Sequence, residues 1–316
     1  MDSVEVELSI ESQSDKKQAE GVHTYVAQWP ISSLAWSLRR DKTPRLAIAS
    51  YLEDYTNKVE LIHFNYHTFN FTTDPRLVLD HPYAPTNLMF FPSHDDTNPD
   101  LLATSGDNLR LWQIHHDHIQ LKSLLIGNKV SDHSAITSFD WAGFDPRLVA
   151  TSSVDTTCTI WDIEREAMNA QLVAHDKEVY DISWGGVNVF ASVSGDGSVR
   201  VFDLRDKEKS TIIYENPVRD CPQPTTPFME LSKHRMSVNG VSWSPDIGRH
   251  LCSVGDDSTA LIWEVMETGV QGEGGGDVEP LMLHGSTAEI NHVSWSPMQW
   301  DWIAITFLNN LQLLRV

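Results

Sequence analysis

The sequence predicts an all-β protein assembled from repeated four-stranded blades, a β-propeller, and three observations carry that prediction. Short apolar runs closed by an aromatic residue recur at Leu101–Trp112, Leu148–Trp161, Val189–Phe202 and His250–Trp263. In the last three an Asp precedes the closing aromatic by 6 residues, and in the first by 5. A His stands 27 to 31 residues upstream of each closing aromatic, with a further apolar strand between them. Self-similarity at such a period marks an architecture in which each unit buries its faces against its neighbours.

Each element can be justified in turn. Residues 1–22 carry Asp2, Glu5, Glu7, Glu11, Asp15 and Glu20 and no apolar stretch, so they are expected to be a disordered acidic tail and not a signal peptide. Residues 31–64 supply ISSLAW, RLAIAS and KVELIHF, a degenerate blade with no His or Asp in register. The four well-marked copies follow. Residues 284–315 supply INHVSW, WIAITF and LQLLR, a second degenerate blade that ends one strand short. The strand His23–Trp29 is the expected donor of the missing strand, because an open sheet edge invites aggregation. Six blades are recognisable, in one propeller domain over 23–316.

The recurring residues have a physical logic. A His, a strand Ser or Thr, the turn Asp and the Trp indole N–H can form one buried hydrogen-bond chain within a blade. The expected members are His81, Asp107 and Trp112; His133, Thr151, Asp155 and Trp161; His175, Ser192 and Asp196; and His234, Ser253, Asp257 and Trp263. Phe202 stands where the third set needs a Trp, so that chain lacks a donor. One set per blade argues for a structural role over a metal site or a catalytic relay. This is the pattern of WD repeats.

One interval breaks the period. Between Phe202 and Trp263 lies a strand, Ser210–Tyr214, and then a segment with Pro217, Pro222, Pro224 and Pro227. Proline is excluded from a central strand. An irregular stretch over 216–228 is therefore expected.

Composition narrows the function. The chain has 316 residues, 23 Lys and Arg against 44 Asp and Glu, and a formal net charge of −21. That acidity argues against direct nucleic-acid binding and against an anionic membrane surface. Cys158, Cys221 and Cys252 match no zinc spacing and are too few for a disulfide framework, which suits a reducing compartment. The tract with His115, His116 and His118 reads as an exposed loop, and the Gly272–Gly276 run lacks the Lys of a phosphate loop. No cofactor, no metal and no enzymatic activity are expected.

Thr156–Glu164, Gln171–Gly186, Phe190–Glu215 and the terminal LLRV resemble the plant WD-repeat proteins of the transparent-testa-glabra group. The stretch WSLRRDKTPRLAIAS favours its light-regulated branch. That resemblance implies a seven-bladed, non-enzymatic, monomeric scaffold of nucleus and cytoplasm. It would act as a transcriptional co-regulator in circadian and photoperiodic control, with DNA-binding transcription factors as partners. The sister branch implies MYB or bHLH partners in pigment and epidermal programmes. Against the family, about one repeat is absent after the STIIYE strand.

Candidate partner-binding residues lie on the loops before first strands and on the Asp turns: Asp176, Lys177, Glu178, Arg235 and Asp256. A further candidate is Arg205. The run Phe202-Asp203-Leu204-Arg205 resembles the box by which some WD proteins dock on cullin-4 ligase adaptors, with Phe for Trp. This implies an alternative function as a substrate receptor of that ligase. In the preceding copy Glu164 occupies the place of the Arg.

Overall fold

The structure, a computed structural model, describes residues 21–53, 56–94, 96–127, 134–215, 229–245, 248–265 and 278–316. Residues 1–20, His133, Cys221, the 216–228 stretch and Gly272–Gly276 lie outside the described residues.

All regular structure among the described residues is β. Strand β1 (Val22–Val26) is followed by blade 1, formed by β2 (Ile31–Trp36), β3 (Arg45–Ser50), β4 (Asn57–Asn65) and β5 (Asn70–His81). Blade 2 holds β6 (Leu88–Phe90), β7 (Leu101–Thr104), β8 (Leu109–Ile114) and β9 (Ile119–Leu125). Blade 3 holds β10 (Ile136–Trp141), β11 (Leu148–Ser153), β12 (Thr157–Asp162) and β13 (Ala167–Val173). Blade 4 holds β14 (Val179–Gly186), β15 (Val189–Ser194), β16 (Ser198–Asp203) and β17 (Asp206–Glu215). Blade 5 holds β18 (Val238–Trp243), β19 (His250–Gly255), β20 (Thr259–Glu264) and β21 (Met282–Gly285). Blade 6 joins β22 (His292–Trp295), β23 (Trp302–Phe307) and β24 (Asn310–Arg315) to β1.

The fold is thus a six-bladed WD-repeat β-propeller whose last blade is completed by the N-terminal strand. Strand β1 runs antiparallel to β24 in the register Val22↔Leu314 to Val26↔Asn310. The chain divides into two compact units, one with blades 1 to 4 and one with blades 5 and 6 plus the hairpin tip Asn65–Phe71.

Burial explains why the strands read as apolar and small-residue runs and not as alternating ones. A sheet covered on both faces has no polar side. In blade 3, Ala150 and Cys158 face blade 4 while Val149 and Trp161 face blade 2, and each is buried. In the second unit Cys252, Val254 and Ile262 of blade 5 pack on Trp295 and Ile303 of blade 6.

Two local devices recur. The turn joining second and third strands needs a left-handed residue, and Thr156, Gly197 and Ser258 occupy it with φ of 73°, 84° and 61°. The first strand carries a bulge after Ile136, Val179 and Val238. A bulge re-aims the extra side chain. Thr137, bulged in blade 3, donates to the carbonyl of Val179 in blade 4 at 2.6 Å. Asn239, bulged in blade 5, donates to the carbonyl of Ile290 at 3.0 Å.

Candidate interaction surfaces

The loops before first strands rest on the His–Ser/Thr–Trp chains, so those chains fix the surface above them. Blade 5 has all four members. The Trp263 indole N–H donates to Ser253 Oγ at 2.8 Å, and His234 Nε2 lies 2.7 Å from the same oxygen. His234 Nδ1 lies 3.1 Å from both oxygens of Asp257. Burial pushes the Asp257 carboxyl up, but the Arg235 amide, Thr259 and His234 outweigh it and bring it down to about 2.

Blade 4 keeps three members. His175 Nε2 is 2.7 Å from Ser192 Oγ and Nδ1 is 2.9 Å from Asp196. Phe202 is buried in the Trp place and stacks on Phe190 at 5.1 Å. Burial raises the Asp196 carboxyl, and Ser198 and His175 more than reverse that, holding it well below the usual range. In blade 3 the Trp161 N–H donates to Thr151 Oγ1 at 2.9 Å. Asp155 accepts from the amide and hydroxyl of Thr157 at 3.1 and 2.6 Å, and the His133 of that set lies outside the described residues.

Blade 2 departs from the sequence expectation. Trp112 donates to Thr104 Oγ1 at 3.0 Å, and His81 Nε2 lies 3.0 Å from that oxygen. Asp107 is not part of the chain. It is clasped by Arg110 at 2.6 and 3.1 Å, while His81 Nδ1 donates to the Tyr83 carbonyl at 2.5 Å. The turn is one residue shorter here, so the carboxylate is aimed at the third strand and away from the His. Thr104, absent from the expected set, is the oxygen that joins the two rings.

The candidate partner-binding residues fall in two places. In the first unit, the loop Asp176-Lys177-Glu178 is held from beneath. The Asp176 amide donates to Asp196 at 3.3 Å, and the Lys177 and Glu178 carbonyls accept from Ser194 Oγ and the Gly195 amide at 3.2 and 3.0 Å. Arg200 reaches the exposed Asp176 carboxylate at 3.2 Å. In the second unit, the Arg235 amide donates to Asp257 at 2.9 Å while its side chain is exposed, and Asp256 accepts from Asn239 at 2.6 Å.

Arg205 lies at the opposite end of blade 4, on the hairpin between β16 and β17. Its side chain is 72% exposed and forks onto Asp203, with Nε 2.9 and 3.0 Å from the two oxygens. The guanidinium holds Asp203 down to about 2. The same Asp-x-Arg clasp recurs at Asp145–Arg147 and Asp74–Arg76. Sequence reasoning missed Arg165, which lies 3.6 Å from Asp162 on the equivalent hairpin of blade 3 and is 83% exposed. Glu164 stood in the expected place, and the signal was one residue further on.

Comparison with known proteins gives the lineage. The WD domain, G-beta repeat, matches residues 126–162, 168–203 and 225–264. The chain is 44% identical to the DDB1- and CUL4-associated factor 7 homolog of Dictyostelium discoideum, over 93% of this chain and 98% of that protein. WD repeat-containing proteins of Saccharomyces cerevisiae and Schizosaccharomyces pombe are each 28% identical over 92% of this chain, covering 76% and 89% of their own lengths.

These relatives overturn the resemblance to the light-regulated plant branch, and the circadian, photoperiodic and MYB or bHLH expectations lose their support with it. The residues that suggested it, such as TTCTIWDIE and SGDGSVRVFD, are strand and turn positions that build a blade in any branch. They carry the fold and not the lineage. The protein is a WD-repeat scaffold, and the chain belongs to the family of the DDB1- and CUL4-associated factor 7 homolog.

Proposed function

We propose that this protein works by binding and not by catalysis, as a receptor that associates with the DDB1–CUL4 ubiquitin ligase. The near full-length identity to a protein named for that association carries the proposal. Arg205 is the docking residue: it is exposed and fixed in direction by Asp203. Arg147 and Arg165 lie at the same end of the adjacent blade, each paired with an Asp, Asp145 and Asp162. The opposite end, with the Asp176–Glu178 loop, is left for a second protein.

Capture of purified DDB1 by the immobilised full chain tests this. Wild type is expected to retain DDB1, and Arg205→Ala to weaken capture at least about tenfold, the range of a hot-spot guanidinium. No capture by wild type removes the proposal. Undiminished capture by Arg205→Ala removes Arg205 from it.

A further inference from the structure

A cleft of about 480 Å³ lies between blades 1 and 2, where the β2–β3 loop meets the β8–β9 hairpin. Every residue lining it belongs to the unit of blades 1 to 4. That volume suits a small ligand or one side chain of a partner. The chain as a whole is acidic, with a net charge of −21. This cleft runs against that balance. Four cations line it, Arg39, Lys42, Arg45 and Arg76, against two carboxylates, Asp74 and Asp100. Asp41 stands behind Arg39 and takes its Nε and Nη2 at 2.6 and 2.8 Å, while the Asn98 carbonyl takes Nη1 at 2.8 Å. Arg39 is therefore a wall, and the other three cations carry the chemistry.

Arg45 forms the floor. It is almost fully buried and is held on three sides. Its Nη2 donates to Asp100 at 2.5 Å, its Nε to Ser37 Oγ at 3.3 Å, and its guanidinium lies 5.3 Å from the Phe90 ring. Nη1 makes no hydrogen bond among the described residues. Arg76, on β5, clasps Asp74 through Nε and Nη2 and likewise keeps Nη1. Lys42, on the β2–β3 loop, is half exposed, with its nearest carboxylate 4.0 Å away. His63 senses this charge. Burial first, and the Arg45 guanidinium second, hold its imidazole below the ordinary value, while Asp74 opposes them. His115 and His116 form the blade 2 side. Among the described residues no group of three or more His, Cys, Asp or Glu is placed to hold a metal ion, so these histidines are walls and not ligands.

We propose that this cleft binds a phosphate monoester, carried by a phosphorylated serine or threonine of a partner protein or by a small phosphorylated compound. The donors left over come from three segments of blade 1: Arg45 on β3, Lys42 on the loop before it and Arg76 on β5. A planar carboxylate meets one such fork. A tetrahedral dianion with three acceptor oxygens meets all three. The floor guanidinium is already fixed by Asp100, Ser37 and Phe90, so little side-chain freedom is lost when an anion arrives. The site is separate from Arg205 on blade 4 and does not depend on association with DDB1.

Calorimetric titration of the full chain tests this with three probes: inorganic phosphate, N-acetyl-O-phosphoserine amide and N-acetyl-glutamate amide. Both phosphates are expected to saturate one site at millimolar concentration or below, with the glutamate compound at least about tenfold weaker. Tighter binding of the phosphoserine compound than of inorganic phosphate assigns the site to a phosphorylated protein, and the reverse assigns it to a small phosphate. Lys42→Glu and Arg76→Gln change exposed side chains, so the thermal transition should persist. Each should weaken phosphate binding about tenfold or more, the loss expected of one charge-assisted hydrogen bond. Lys209→Glu makes the same change of charge at an exposed position on blade 4 and should leave binding as it is. Absence of saturable binding by both phosphates overturns the proposal. So does equal binding of the glutamate compound, undiminished binding by Lys42→Glu and Arg76→Gln, or an equal loss in Lys209→Glu.

Discussion

Asp107 and Arg110 form a two-pronged ion pair across the turn of blade 2, at 2.6 and 3.1 Å. That pair takes the carboxylate out of the His81 chain, while Asp196 of blade 4 remains 2.9 Å from His175 and is almost fully buried. The two Asp residues occupy the same place in the repeat and should not respond alike to neutralisation. Asp196→Asn removes a buried acceptor from His175, Ser198 and Arg200 and should cost about 1–3 kcal/mol. Asp107→Asn loosens a partly exposed pair and should cost about 1 kcal/mol or less. Urea unfolding of both variants checks the order, and equal losses would count against the geometry of blade 2.

Burial holds the His81 imidazole down at about 4, below its ordinary 6.5. The cause is loss of water around the ring, with a smaller push from Arg110, and the bond to the Tyr83 carbonyl opposes it. His81 Nδ1–H donates to Tyr83 O, and the Thr104 hydroxyl donates to Nε2 while accepting from the Trp112 indole. A second proton on Nε2 would displace the one from Thr104. The folded value lies below the unfolded one, so this stability is fully present above pH 6.5 and lost as pH falls through about 4. The loss amounts to about 3 kcal/mol at most. The melting temperature should therefore decline between pH 6.5 and 4, and His81→Gln should flatten that decline.

Thr156 holds φ at 73°, in the turn where Gly197 stands in the next blade. A β-branched residue in the left-handed region is strained by roughly 1–2 kcal/mol, and glycine returns part of that as unfolded-state entropy. Thr156→Gly should leave stability unchanged or raise it by up to about 1 kcal/mol. Thr156 is half-buried, and the Ala174 and His175 amides bond its carbonyl, which glycine retains. Differential scanning calorimetry would register the result, and a drop in melting temperature would show that the turn does not need the freedom of glycine.

The repeat was legible because its determinants are local and recur. Strand spacing, turn Asp and closing aromatic each report on a few neighbouring residues, and Trp263, Ser253, His234 and Asp257 meet as those spacings require. Blade 2 was not fully legible because the competitor for Asp107 is Arg110, three residues on, and spacing alone does not rank an ion pair above a His. Arg165 escaped because a hairpin absorbs one extra residue without moving its Asp162 anchor. The lineage was misread since blade-forming residues are shared across WD branches.

Cys158 and Cys252 occupy forward faces of blades 3 and 5, each fully buried against the following blade. Burial pushes both thiols up to about 12, so neither forms thiolate at neutral pH. Thiolate is the reactive species, and access to these sulfurs requires a blade junction to open. Native protein should leave both unmodified by iodoacetamide at pH 8, and both should react within the same treatment in guanidinium. Peptide mapping distinguishes the two sites. Since Cys158 lies under blade 4 and Cys252 under blade 6, the order in which they become labelled at rising denaturant reports which junction separates first. Rapid labelling of either in the native protein would mean that its junction opens on the timescale of the reaction, contrary to the packing seen at Phe190 and Trp295.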